Sequence, residues 1–337
     1  MKLEIALLHQ GDPESQNAAA RRSAHITDRI SKSLLEEYKV HNLFVDDERN
    51  WVDKASSLRS SKVLVFNAAD LGLYHNNAFE SHIVAILETL DLPYTGSSSR
   101  TLTTSIDKYT TKLVLQDAGI PTPKVYLLSN VPKAIEFPVI LKPRRAYGSR
   151  DIAPSSIIKS GKQLEQKINE ITNSDSPLKE HILEEYIEYA DLPEVTVGFI
   201  GNDTTRKVLT PLGFTFGAGY ANRPKIRDFE SKFTEGSATY GQCVPGPLTL
   251  SQPLQQLLAQ NTNLIAENLE IADYGRFDFR IKKEGTLLVP YIIDTNANPD
   301  LNDDASLFLM TNHEGSNYQQ FIRQIVNAAR QRYDLKN

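Results

Sequence analysis

Residues 275–300 read GRFDFRIKKEGTLLVPYIIDTNANPD. From Arg276 to Lys282 the side chains alternate, with Phe277, Phe279 and Ile281 on one face and Arg276, Asp278 and Arg280 on the other. Lys283-Glu284-Gly285 is a polar turn, and Leu287–Ile293 is a second apolar run, so the stretch predicts a β-hairpin. Folding it brings Asp278 towards Asp294 and Asn296. Two carboxylates and an amide oxygen are hard donors that suit Mg²⁺, an ion usually held by one or two carboxylates plus substrate phosphates. The competing reading is that acidic residues at hairpin ends are solvated. Polar residues interrupting two otherwise apolar strands favour the metal site.

The bulk of the chain narrows what such a site can serve. At 337 residues, two or three domains are expected. With 40% hydrophobic and 23% charged residues it has the composition of a soluble globular protein. A net charge of -5 speaks against a nucleic-acid platform, which carries a basic excess. One cysteine, Cys243, excludes an intrachain disulfide framework and multi-cysteine zinc or iron–sulfur sites. It reads as a small packed residue in a reducing compartment. The start, MKLEIALLHQ, carries Glu4 within a short apolar run and does not read as a signal peptide. No stretch approaches the roughly 20 apolar residues needed to cross a bilayer. A cytoplasmic protein with no membrane partner is expected.

Along the chain, strands at Leu3–Leu8, Val40–Val45 and Lys62–Asn67 alternate with helices, which predicts a parallel sheet with crossovers. Thr95–Ser99 reads as a boundary. Asp107 is an N-cap for a helix over Lys108–Ala118, ended by Gly119 and Pro121. Strands are expected at Phe137–Lys142, Ile182–Ile187 and Val195–Ile200, and a mobile loop over 217–241. Ser316 and Gln319 supply a capping box for a last helix carrying Tyr318, Phe321, Ile322, Ile325 and Val326 on one face.

Walker A, HExxH and paired CxxC patterns are absent. The loop after Lys142, PRRAYGSRD, is more informative. Lys142 ends an apolar strand, and Gly148-Ser149 offers backbone N–H groups and a hydroxyl to anionic oxygens, with Arg144, Arg145 and Arg150 nearby. A basic surface turn is the alternative. Together with a downstream Mg²⁺ site, nucleotide binding is the better account.

The order DKYTTKLVLQDAGIPTP, FPVILKPRRAYGSRDI, ILEEYI, GRFDF and IIDTNANP resembles the ATP-grasp superfamily, and within it the D-alanine–D-alanine ligase group. The similarity runs from about Val65 to Leu309. It implies an α/β protein, α+β in its ATP-grasp part, with a Rossmann-like parallel-sheet domain in front. The expected division is an N-terminal domain over 1–100, a central small ATP-binding subdomain over 101–187 and a C-terminal ATP-grasp domain over 188–337. By the same resemblance Lys108 and Lys142 contact ATP phosphates under a loop containing Gly148 and Ser149. Glu184 meets the adenine amino group, the backbone of Tyr186 and Ile187 lines the adenine edge, and Glu194 binds ribose. Residues 189–192 are an insertion before Glu194. Lys232 matches the lysine of the family's mobile loop, and Arg276 the arginine that steadies the oxyanion; with Ser149 they form the catalytic set. Asp278, Asp294 and Asn296 match the metal ligands, for two Mg²⁺ ions or for Mn²⁺. The implied reaction is amide or peptide bond formation through an acyl phosphate, on small amino-acid or carboxylate substrates. A homodimer is common in the group.

Four departures concern the substrate. HQGDPESQN stands where the group has a Gly-Gly-x-Ser-x-Glu type motif, leaving Glu14 a loose match. The mobile loop has Lys232-Phe233 in place of Lys-Tyr, and Asp294 replaces a glutamate. The stretch that receives the acceptor carboxylate reads Pro299-Asp300-Leu301-Asn302-Asp303-Asp304-Ala305-Ser306. Three acids there repel a simple carboxylate and favour an acceptor with a cationic group, unless Asp303 and Asp304 face solvent and Ser306 supplies the missing hydroxyl. A substrate other than plain D-alanine is therefore expected. A cell-wall D-alanine–D-alanine ligase, and an ATP-binding regulator without ligase activity, are the alternatives.

Overall fold

The computed structural model describes residues 3–45, 50–59, 62–73, 79–146, 148–149, 151–174, 177–189 and 194–335. Arg150 and insertion residues 190–192 lie outside these. Strands β1 (Glu4–His9), β2 (Val40–Phe44) and β3 (Val63–Ala68) form a parallel sheet in the order β2-β1-β3. Helices α1 (Ala18–Leu35) and α2 (Asn50–Ser57) make the crossovers, which explains why β1 and β3 are apolar on both faces. Helices α3 (Glu80–Thr89), α4 (Ser99–Ile106) and α5 (Lys108–Asp117) lead to a four-stranded antiparallel sheet. It comprises β4 (Val125–Leu127), β5 (Val139–Pro143), β6 (Ile157–Ile158) and β7 (His181–Glu185), ordered β4-β7-β5-β6, with α6 (Gly161–Thr172) against it.

A six-stranded antiparallel sheet follows, formed by β8 (Val195–Ile200), β9 (Lys207–Val208), β10 (Leu212–Phe216), β11 (Cys243–Pro247), β12 (Tyr274–Glu284) and β13 (Leu287–Asn296). Helices α7 (Phe229–Phe233), α8 (Gln252–Asn268), α9 (Ser306–His313) and α10 (Tyr318–Arg332) complete the chain. The 217–241 segment therefore includes a short helix, capped by the Asp228 side chain, which accepts from Ser231 N. The last helix begins one residue later than its sequence suggests. Asn317, not Ser316, is the N-cap: it accepts from Gln320 N, and the Gln320 side chain reaches back to Asn317 N. The Ser316 hydroxyl instead accepts from Gln324.

The apolar cores do not follow the sheets one to one. The four-stranded sheet has its own core of Leu128, Val139, Ile158, Leu164 and Leu183. The other two cores are shared between the first and last sheets. One joins Val65 and Leu87 to Val197 and Phe277; the other joins Ile5 and Phe66 to Tyr274 and Phe321. The Thr95–Ser99 run lies in this seam and is not an exposed linker: Thr95 and Ser97 are fully buried. Gly96 N donates to Asp273 at 2.8 Å, and Ser97 N to the Asn298 side chain at 2.9 Å. Gly96 sits at φ +91°, and a Cβ there would come within 2.6 Å of Asn298 Oδ1, so both conformation and space call for glycine.

Candidate active site

The β12–β13 register places Arg276 opposite Asn296 and Asp278 opposite Asp294, all on one face. A bulge immediately after Asp278 shifts the register, so Phe279 pairs with Ile292. Asp278 is 5% exposed, yet both its oxygens are engaged. Thr196 on β8 donates its hydroxyl to Oδ1, and Arg276 Nη2 donates to Oδ2 at 3.1 Å. Burial alone would raise Asp294, but Lys108, Lys142 and Lys112 hold its carboxyl below the usual range. Among the described residues, nothing pairs with the buried Asn296 Nδ2. Two carboxylates and an amide facing one another are a donor set that fits Mg²⁺.

Three lysines converge behind this face. Asp107 caps α5, accepting from Thr110 N, and also binds Arg144 at 2.7 Å and Arg145 at 3.0 Å. Those two loop arginines thus serve the helix cap and do not face the site. Lys108 does not project into solvent, as a first-turn lysine usually would: it is 8% exposed. Its Nζ donates to Ala146 O at 2.6 Å and lies 3.6 Å from Asp294 Oδ1. One helical turn on, buried Lys112 donates to Ile292 O at 2.6 Å. Burial pushes its ammonium down to about 8. Lys142 on β5 donates to Glu184 on β7 at 2.6 Å. Burial would raise Glu184, but Lys142 and Lys112 outweigh it and its pKa falls. Glu184 Oε1 is buried with no hydrogen-bond partner among the described residues.

On the other side, Gly148 and Ser149 both adopt positive φ, 70° and 59°. This left-handed pair is costly for serine and is held by tertiary bonds. The Ser149 hydroxyl donates to Arg227 O at 2.6 Å and accepts from Lys232 Nζ at 2.7 Å. Burial, and then Arg227, push Lys232 down to about 8. Glu194 pairs with Arg227 at 3.4 Å. Tyr186 and Ile187 follow β7, and their position is fixed by Arg280. That guanidinium donates to Ile187 O and Lys225 O, each at 3.0 Å, and stacks 4.8 Å over the Tyr186 ring.

One cleft of about 880 Å³ lies between the two antiparallel sheets. Every residue predicted for the site lines it: Lys108, Lys142, Gly148, Ser149, Glu184, Tyr186, Ile187, Glu194, Lys232, Arg276, Asp278, Asp294 and Asn296. Glu14 does not; it is exposed on the loop after β1. Asp300 and Asp304 pair with Arg22 at 3.1 and 2.9 Å, and Asp303 with Arg29, so the acids after β13 are tied to α1. The sequence reading missed Arg227 and Arg280 as cleft residues, together with Asp70 and Glu80 from the N-terminal part; it also missed Lys112, buried behind the wall and bonded to Ile292 O. Signals existed for two: Lys112 is four residues after Lys108 on one helix, and Arg280 shares the alternating face of Arg276 and Asp278.

A cleft gripped between two antiparallel sheets, with lysines on one side and a carboxylate pair on the other, defines an ATP-grasp protein. The D-ala D-ala ligase C-terminus family model matches residues 109–327, about two thirds of the chain. The chain belongs to this family of ATP-dependent carbon–nitrogen ligases, whose members use ATP and Mg²⁺. A D-alanine–D-alanine ligase of Aquifex aeolicus is 24% identical over 304 residues, 88% of this chain and 92% of its own length. An uncharacterized protein of Sinorhizobium fredii is 27% identical over 273 residues, 80% of this chain and 75% of that one. The crystal structure of Bacillus anthracis D-alanine–D-alanine ligase complexed with ATP matches at TM-score 0.71 and 18% identity, covering 97% of both chains. VanG D-Ala:D-Ser ligase from Enterococcus faecalis matches at TM-score 0.72 and 16% identity, covering 98% of this chain and 100% of that one. These two likenesses establish the fold. Among the described residues no helix is long and apolar enough to cross a membrane.

Proposed function

We propose that this protein joins the carboxylate of an amino acid to an amine, consuming ATP and passing through an acyl phosphate, in the cytoplasm. The observation that carries this reading is the facing pair Asp278 and Asp294, with Lys108, Lys142, Lys232 and Arg276 around one cleft. In it, Asp278, Asp294 and Asn296 hold the metal, which when bound neutralises charge on the transferring phosphoryl group. Lys108 and Lys142 hold the triphosphate. Glu184, freed in part from Lys142, offers its unpaired Oε1 to the adenine amino group. The carbonyl and N–H groups after β7 meet the ring edge, and Glu194 meets the ribose. Gly148-Ser149 and Lys232, already bonded to each other, cover the phosphates from the opposite side and exclude water. Arg276, fixed by Asp278, steadies the oxyanion that forms as the amine attacks. Preorganised cations of this kind dominate the catalysis of charge-developing reactions.

A substrate other than plain D-alanine is supported by the absence of Glu14 from the cleft; the acids after β13 are paired with Arg22 and Arg29 and add no support. VanG, by its name a D-Ala:D-Ser ligase, has the same fold. D-alanine–D-alanine ligation is the second reading, and the named relatives favour it at least as well. The test is ADP and phosphate release from Mg²⁺-ATP with L- and D-amino acids, singly and in pairs. Turnover confined to particular amino acids supports ligation and names the substrate. Robust dipeptide formation from D-alanine alone selects the second reading. ATP binding without turnover on any amino acid would overturn both and leave a regulator.

A further inference from the structure

Arg227 lines the cleft and has no part in the chemistry described so far. Its guanidinium lies 3.8 Å from the centre of the Phe214 ring, a contact that fixes its plane, and its side chain is 17% exposed. Nη1 donates to Glu194 Oε1 at 3.4 Å, longer than the roughly 2.7–2.9 Å of a well-formed charge-assisted bond. Burial would lower Arg227, but Glu194 and then Asp278 outweigh it and its pKa rises. One guanidinium is thus within reach of both acids, the one assigned to ribose and the one assigned to the metal. Its main chain is tied to the phosphate loop: Arg227 O accepts from the Ser149 hydroxyl at 2.6 Å, and that hydroxyl accepts from Lys232 at 2.7 Å.

We propose that Arg227 is a further nucleotide-binding residue, contacting the α- and β-phosphates between the ribose at Glu194 and the metal at Asp278 and Asp294. The inference rests on the nucleotide site of the ligase reading. With its ribose at one acid and its terminal phosphate at the metal, a nucleotide leads its inner phosphates past the residue standing between the two. A guanidinium packed flat on an aromatic ring presents its N–H groups along its edge. That fork meets two phosphate oxygens at once, which an ammonium does not. The 3.4 Å bond to Glu194 is loose enough for the guanidinium to turn to phosphate, which leaves Glu194 to the ribose hydroxyls.

Calorimetry on the full-length protein tests it, with Mg²⁺-ATP, Mg²⁺-ADP and adenosine and with no amino acid present. Arg227→Met keeps an apolar stem over Phe214. It is expected to weaken ATP and ADP by about tenfold or more, the size of a lost bond to a charged group, and adenosine by less than about twofold. Arg227→Lys, which keeps the charge without the fork, is expected to show a smaller loss in the same pattern. Arg227→Gln takes the place of the methionine variant if that one does not fold. Equal losses for all three ligands, a loss for ATP alone, or no loss overturn the assignment. The ligase reading is judged separately by ADP release with amino acids. Turnover in the wild type with unchanged ATP affinity in Arg227→Met leaves that reading standing and removes Arg227. The expected binding pattern without turnover on any amino acid supports Arg227 and removes ligation. A wild type that does not bind ATP overturns both.

Discussion

Asp278 and Asp294 face each other across adjacent strands at the last regular pair before a bulge. Their separation in sequence is closed by the hairpin, and their shared face is secured by Thr196 and Arg276 on Asp278 and by Lys108 near Asp294. Like charges at such positions repel each other unless cations or a metal lie between them.

Replacing either acid by asparagine is therefore expected to lower ADP release by about 10²–10³-fold, the size seen when one preorganised stabilising group is lost. The far-UV circular dichroism should stay as in the wild type, because both side chains face the cleft. Wild-type turnover of Asp278→Asn would remove the metal assignment.

Lys142 and Glu184 form a buried ion pair, and removing one partner strands the other's charge. Lys142→Met is expected to cost on the order of 3–5 kcal/mol in urea unfolding. Combining it with Glu184→Gln should recover most of that loss, since no charge is then stranded. Glu184 is depressed in the folded protein, so its contribution is full above the unfolded pKa of about 4.3 and is lost as pH falls through the lower folded value. The wild type should thus lose stability in acid more steeply than Glu184→Gln. Additive effects in the double variant would argue against a coupled pair.

Lys232 and Lys112 are both pushed down to about 8 by burial. Each ammonium is charged below that pH and neutral above it, so attraction for a triphosphate weakens with alkalinity. KM for ATP should rise between pH 7 and 9.5, and Lys232→Arg should flatten the rise, since arginine keeps its charge. For stability the sign is opposite. A lysine lowered in the folded state opposes folding fully below its folded pKa, and that penalty fades as pH rises towards about 10.4. A pH-independent KM for ATP over this range would exclude a phosphate role for Lys232.

Asp273, fully buried, receives Arg332 at 2.8 Å, while the same guanidinium donates to Tyr94 O and Gly96 O. This ties α10 to the seam between the first and last sheets. Arg332→Ala is expected to destabilise by roughly 3 kcal/mol, the low end for a broken buried pair, because Gly96 N and Asn202 still bond Asp273. Asp273→Asn in the same chain should restore part of the loss. A melting temperature unchanged in Arg332→Ala would show that the seam does not depend on this pair.

Much of this protein is determined locally. Alternation from Arg276 to Lys282 and the Lys283-Glu284-Gly285 turn specify the hairpin, and Asp107 specifies the start of α5, because strand period and helix capping depend only on near neighbours. The five motifs likewise carry the ATP-grasp resemblance in linear order. Tertiary structure decided the remainder. The bulge after Asp278 fixed which acid opposes which, a register that alternation leaves open. Burial turned Lys108 and Lys112 from ordinary helix residues into part of a charged wall. Salt bridges from Arg22 and Arg29 neutralised acids that look repulsive in the chain. Glu80, about two hundred residues before its partner Asn298, came to the cleft only through the packing of the first sheet on the last. Desolvation and long-range pairing depend on which segments meet, and linear order does not contain that.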